Sequence, residues 1–291
     1  MKFSVSTYSY CRLIGSGEKT LAECIALAAE TGFDGVEFVE FDTPDGMTKA
    51  EYAAFLREEC KKNGVEPVSY TIGADFLHGS DGDLEKEIAR LKGEVEIAGI
   101  LGVKLMRHDA TRGYDNDTRG YKAFSDALPR IIEGCRAVTE YAKTFGIRTM
   151  VENHGFFCQE SCRVEKIVNG VANDNFGLLV DIGNFMCADE DPAYAVGVVA
   201  PYAFHVHAKD FTKKSGNGPL FCDGFFKTRG GTYLKGAIVG HGDVPVYQCL
   251  QTLIGTGYDG YITVEFEGLE DQKLGTQYGL NTLKKMCESI A

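Results

Sequence analysis

Short apolar runs alternate with stretches of helical period along the chain. The runs lie at roughly Phe3 to Thr7, Gly35 to Phe41, Glu66 to Ile72, Val103 to His108, Arg148 to Asn153, Gly177 to Asp181, Ala203 to Ala208 and Tyr261 to Glu265. Each has strand length, and the segments between them place apolar residues three and four apart, as in Leu21-Ala22-Glu23-Cys24-Ile25-Ala26-Leu27-Ala28 and in Leu128 to Phe145. That is the pattern of amphipathic helices. Several of these helices stop at a glycine just before the next strand. Thr31-Gly32-Phe33-Asp34-Gly35 near the start is echoed by Thr256-Gly257-Tyr258-Asp259-Gly260 near the end, so the first and last units share one helix-to-strand turn. Eight strand–helix units in 291 residues predict an α/β fold, a (β/α)8 TIM barrel, with residues 1–291 forming one domain. A doubly wound open sheet is the runner-up, weakened because no Gly-x-Gly-x-x-Gly follows the first strand.

The longest interruption runs from Phe211 to Val244. A loop of that length is usually functional; at about 211–244 it is expected to form a flap over the C-terminal face, with an oligomer contact as the alternative.

Composition narrows the function classes. A formal charge of -12 opposes nucleic acid and anionic membranes, because phosphate binding needs a basic stripe. Small neutral or metal-chelating ligands fit better. The N-terminus lacks a charged segment followed by an apolar one, and no apolar run is long enough to span a bilayer, so the expected location is cytoplasmic. Ten cysteines without paired zinc-type spacing read as reduced, mostly buried thiols.

Strand alternation then selects side chains for the barrel lumen. In Phe204-His205-Val206-His207-Ala208-Lys209 the apolar set faces the helices, leaving His205, His207 and Lys209 inward. The same logic turns Glu265, Asp181 and Glu152 inward, away from Val264, Val180 and Val151. Three carboxylates and an imidazole crowded at one rim would repel one another without a cation. Glu152, Asp181, His207 and Glu265 are therefore the candidate ligands of one divalent metal ion. Such a donor set suits Mn2+ best, with Mg2+, Co2+ or Zn2+ as substitutes.

Val151-Glu152-Asn153-His154, Asp181-Ile182-Gly183-Asn184, His205-Val206-His207-Ala208-Lys209-Asp210, Gly240-His241-Gly242-Asp243-Val244 and Gly260-Tyr261-Ile262-Thr263-Val264-Glu265 occur in this order. Together they resemble the xylose-isomerase-like TIM-barrel superfamily, in its sugar isomerase and epimerase branch, alongside tagatose and psicose 3-epimerases, inosose dehydratases and hydroxypyruvate isomerases. The resemblance implies that Glu152, Asp181, His207 and Glu265 hold the metal, with His207 rather than His205 as the imidazole ligand. It implies that Glu152 and Glu265 are the catalytic acid/base pair on opposite faces of a bound sugar. Asn184 stands where the ketose 3-epimerases carry histidine, so the specificity of that subgroup does not transfer. Members of the superfamily often pair, so a homo-oligomer is compatible with the sequence.

The implied activity is divalent-metal-dependent isomerisation or epimerisation of a sugar or keto-sugar, by proton transfer through a metal-stabilised enediolate. A lyase or dehydratase acting on a keto-sugar or keto-inositol through the same proton abstraction is the alternative. A non-catalytic sugar-binding or assembly barrel is the second alternative. For substrate contacts the candidates are Lys209, His154, His241, His108 and Glu37. Only one of Arg107 and His108 can face the lumen, and Glu37 fits a structural ion pair equally well.

Overall fold

The computed structural model describes residues 1–114 and 123–290. In chain order its strands are β1 (Lys2–Ser6), β2 (Gly35–Val39), β3 (Glu66–Ile72), β4 (Leu105–His108), β5 (Arg148–Glu152), β6 (Phe176–Asp181), β7 (Ala203–Ala208), β8 (Asp210–Lys214), β9 (Phe226–Lys227), β10 (Tyr233–Ala237) and β11 (Tyr261–Val264). Eight of them close a parallel barrel in the order β1-β11-β7-β6-β5-β4-β3-β2. The helices are α1 (Cys11–Gly15), α2 (Leu21–Thr31), α3 (Lys49–Asn63), α4 (Leu84–Leu101), α5 (Phe124–Lys143), α6 (Ser161–Val171), α7 (Pro192–Val199), α8 (Val246–Gly255) and α9 (Gln272–Ile290). The α/β barrel expected from the repeat is the fold observed.

Local chemistry explains the element ends. Thr20 and Thr48 each accept a hydrogen bond from the backbone N–H three residues on, while Glu23 and Glu51 reach back to the threonine N–H. These capping boxes each satisfy two amides that the first helical turn leaves without partners. Gly32 and Gly257, the two copies of the repeated turn, both adopt φ 91°, a left-handed conformation open to glycine at little cost. Helix α2 then buries Leu21, Cys24, Ile25 and Ala28, a three- and four-residue rhythm that lays one face on the barrel wall.

Outward strand residues such as Val5, Phe38, Val180, Val206 and Val264 are fully buried beneath the helices. The lumen is different. Barrel interiors of this type are usually filled by bulky branched side chains, whereas here Ser4, Ser69, Glu37, His205 and Thr263 are buried within the ring of strands.

The interruption at 211–244 is not a bare loop. It holds most of a three-stranded antiparallel sheet in the order β8-β10-β9, invisible in the sequence because β9 has two residues and glycines break the alternation. Asp210 anchors this insertion. Its buried carboxylate accepts hydrogen bonds from the backbone N–H groups of Phe211, Gly240, Gly242 and Val244, at 2.8–3.1 Å. The far end rests on the loops after β5 and β6, where Thr228 donates to Asp189 at 2.7 Å and Arg229 pairs with Glu160. The sheet thus stands at the C-terminal rim. All ten cysteines are free, and no described helix is long and apolar enough to cross a membrane.

Candidate metal centre

Consecutive barrel staves bring four side chains to one point on the rim. Glu152 ends β5, Asp181 ends β6, His207 is the penultimate residue of β7, and Glu265 directly follows β11. One oxygen or nitrogen from each lies within 4.8 Å of the other three. His207 Nδ1 is 3.5 Å from Glu265 Oε2 and 3.8 Å from both Glu152 Oε1 and Asp181 Oδ2. Divalent ions bind their ligands at about 2.0–2.3 Å, which spaces the donors of one shell by roughly 3–4.5 Å. The cluster therefore has the size of a single coordination shell.

The donor atoms are also underused. Asp181 Oδ2, His207 Nδ1 and Glu265 Oε2 are buried and form no hydrogen bond. Lys209 Nζ comes within 3.2 Å of Asp181 Oδ2 and 2.5 Å of Glu265 Oε2, offsetting part of their charge. Buried polar atoms seldom stay unpartnered without a missing ion or water. These residues fit a divalent cation.

Electrostatics sharpen the arrangement. Burial opposes ionisation of Glu265, but the nearby Lys209 ammonium and His207 hold its pKa well below the usual carboxylate range. For Glu152 burial prevails over Arg107, and the pKa is raised. Two equally buried carboxylates of one cluster thus differ in proton affinity, because Lys209 and His207 together outweigh burial at Glu265 whereas Arg107 does not outweigh it at Glu152.

Beneath the rim runs a buried polar column. Ser4 Oγ meets Thr263 Oγ1 at 2.6 Å, Thr263 Oγ1 meets His205 Nε2 at 2.7 Å, and Glu37 lies 3.2 Å from His205 Nε2 and 2.7 Å from His207 Nε2. Glu37 is held well below its ordinary pKa despite burial, through His207 and His205. It accepts the Nε2–H of His207, which leaves Nδ1 as the atom facing the acidic cluster. A carboxylate behind a metal-binding imidazole fixes its tautomer and orientation in just this way.

The other candidates divide. Lys209 is in the cluster, bonded to Asn184 Oδ1 at 3.2 Å and paired with Glu267 at 3.1 Å. His154 lines the cavity above the cluster and pairs with Asp109 at 3.0 Å. Three expectations need correction. His108 points outward, edge-on to Phe76 at 5.6 Å, with its Nδ1 bonded to the Asp109 carbonyl. His241 is exposed on the turn that wraps Asp210 and does not line the cavity. Glu37 sits below His207 as its ion-pair partner, out of reach of the mouth.

Two residues that the sequence named without a site role complete the wall. Arg107 enters the lumen instead of His108 and lies 2.7 Å from both Glu152 Oε2 and Asp109 Oδ1. Asn184 donates to Glu152 Oε1 at 2.9 Å. Both oxygens of Glu152 are thereby fixed. The cavity they bound has a volume of about 350 Å3 and is lined in part by Tyr8, Arg107, Glu152, His154, Lys209 and Glu265. Replacing Arg107 with methionine leaves Glu152 and Asp109 without their shared cation, so we expect a loss of about 3–5 kcal/mol in urea unfolding. A lysine variant should recover part of it, and an unchanged midpoint for the methionine variant would rule out this role for Arg107.

A closed (β/α)8 barrel with its polar cluster at the C-terminal rim is a TIM barrel of the kind that carries its active site there. The chain belongs to the xylose isomerase-like TIM barrel family, whose model matches residues 25–286. Members of this family are enzymes, with dehydratases and epimerases among the relatives of this chain. Inosose dehydratase 2 of Bacillus cereus is 21% identical over 290 residues, covering 93% of this chain and 90% of the relative. The alignment to an inosose dehydratase of Bacillus anthracis, at 22% identity over 212 residues, covers 68% of this chain and just under two thirds of the relative, 65%. Among solved structures, the IOLI protein with a bound zinc atom superposes with a TM-score of 0.73 at 19% identity, over 100% of this chain and 98% of that one. A D-tagatose 3-epimerase-like protein gives 0.72 at 19% identity over the same shares.

Proposed function

We propose that the chain holds one divalent cation, Mn2+ in the first instance, through Glu152, Asp181, His207 and Glu265, and isomerises or epimerises a sugar or keto-sugar by proton transfer. The observation that carries this reading is the convergence of four buried donors within 4.8 Å, three of them without a hydrogen bond. When bound, the cation would supply Lewis acidity, polarising a substrate carbonyl so that the neighbouring C–H becomes acidic.

The chain's own residues do the rest. Lys209 keeps Glu265 ionised at 2.5 Å, ready to take a proton at a carboxylate oxygen. Arg107 and Asn184 clamp the two oxygens of Glu152, fixing where it can deliver or remove a proton on the other side of the substrate. His154 and Lys209 line the cavity where sugar hydroxyls would lie. Return of the proton to the same carbon inverts it; return to the neighbour moves the carbonyl.

The second reading is a dehydratase, favoured by the relatives named inosose dehydratase. It needs the same proton abstraction followed by loss of a hydroxyl. Incubation of the Mn2+-loaded protein with keto-sugars and a keto-inositol in D2O, followed by NMR, separates the two. Deuterium beside the carbonyl with inverted or relocated functionality supports the first reading, and an unsaturated product supports the second. Neither exchange nor an unsaturated product from any of them would reject both.

A further inference from the structure

The cavity above the metal centre is flanked by a second one, a side lobe of different chemistry. Tyr8, Val39 and Glu40 line both this cavity and a second one of about 450 Å3, which lies between the turn after β1 and the start of α3. The first cavity is walled by Arg107, Glu152, Lys209, Glu265 and Glu267. Beyond Tyr8 the wall turns apolar and aromatic, with Ile14 from α1, Leu21 from α2, Phe41 after β2 and Tyr52 from α3.

Phe41 is a fixed platform. Its ring packs edge-on against Tyr52 at 5.6 Å and Phe38 at 6.5 Å, tilts against Tyr70 at 5.7 Å, and has the Lys49 ammonium 5.9 Å from its centre. Phe41 and Ile14 are both half-buried, so each keeps apolar surface open towards the lobe. Ligand sites characteristically combine a few placed polar groups with an apolar wall, in volumes of about 300–1,000 Å3. The metal-centre cavity alone is at the low end of that range, and the adjoining lobe is of similar size, about 450 Å3. A sugar ring offers an apolar wall only its C–H face and keeps hydroxyls around its edge, so it gains less from contact with Phe41, Tyr52 and Ile14 than a flat apolar group does by desolvation and ring stacking.

We propose that the substrate is a sugar or polyol carrying an aryl substituent, with the sugar over the metal centre and the aryl group in the side lobe against Phe41, Tyr52 and Ile14. This rests on the proposed function only for the placement of the sugar; the lobe and its chemistry stand independently of the reaction.

Isothermal titration of the Mn2+-loaded protein with 4-nitrophenyl β-D-glucopyranoside and with methyl β-D-glucopyranoside tests it. Burying roughly a third of an aromatic ring gives about tenfold in affinity, so the aryl glucoside is expected to bind at least about tenfold more tightly. Ile14→Glu should abolish that ratio while leaving methyl glucoside affinity unchanged; Phe41→Ser replaces it should Ile14→Glu lose its fold by circular dichroism. Asp181→Asn should weaken both glucosides alike and preserve the ratio. Equal affinities in the wild type, no measurable aryl binding, or an aryl preference that survives the lobe variants overturns the inference. Proton exchange absent from every keto-sugar, with the aryl preference intact, overturns the metal-centre reading and leaves the lobe standing.

Discussion

Glutamine in place of Glu265 is expected to slow substrate deuterium exchange by at least about a thousandfold, within the range that general acid–base groups contribute. The amide keeps the side chain's shape and an oxygen for the cluster, but it cannot take up a proton. It also removes the carboxylate that faces Lys209 at 2.5 Å, while Asp181 at 3.2 Å and Glu267 at 3.1 Å remain to pair the ammonium. The fold should therefore survive, with a urea midpoint close to wild type. Glu267→Gln is the control, since Glu267 lies on the same lysine outside the metal quartet, and it should cost less than about tenfold. Exchange in Glu265→Gln within tenfold of wild type would remove Glu265 from the chemistry, whatever the metal content.

Removal of the cation is expected to have the other large effect. Dialysis against a chelator should abolish exchange, and added Mn2+ should restore it. A ligand bound only by the folded state stabilises it; at a hundred times Kd the gain is about 2.7 kcal/mol, or roughly 5–10 °C in melting temperature for a domain of this size. Asp181→Asn should show little of that Mn2+ response, because Asp181 Oδ2 is one of the open donor atoms. Identical melting and exchange with and without chelator, in protein shown by metal analysis to be ion-free, would sink the metal assignment.

Much of this site was legible in the sequence because strand alternation is a strict two-residue rule. β7 reads cleanly, with Val206 and Ala208 against the helices and His205 and His207 in the lumen. What alternation could not resolve was depth. Both histidines point inward, yet His207 reaches the rim and His205 lies a layer below, bonded to Thr263. Depth also decides Glu37, which fitted a substrate contact and an ion pair equally well and is found paired with His207 below the rim. β4 fails differently: Leu105 and Met106 are adjacent apolar residues, so no phase is favoured, and Arg107 rather than His108 turns inward. The His241 turn has the polarity and glycines of a site loop, but those features serve the four amide bonds to Asp210, a long-range contact that no local pattern encodes.

The stagger of the staves carries a last consequence. Glu152 pairs in register with Leu179, two residues short of Asp181; Asp181 pairs with His207; and His207 pairs with Thr263, two residues short of Glu265. A slip of one residue in any of these three ladders would exchange a donor for a neighbour on the opposite face, because side chains alternate faces. An ion that demands all four donors is compatible with a single alignment of half the barrel. Binding of such an ion would favour the correct strand assembly over its slipped alternatives, so the ion would serve the nascent barrel as a proofreader.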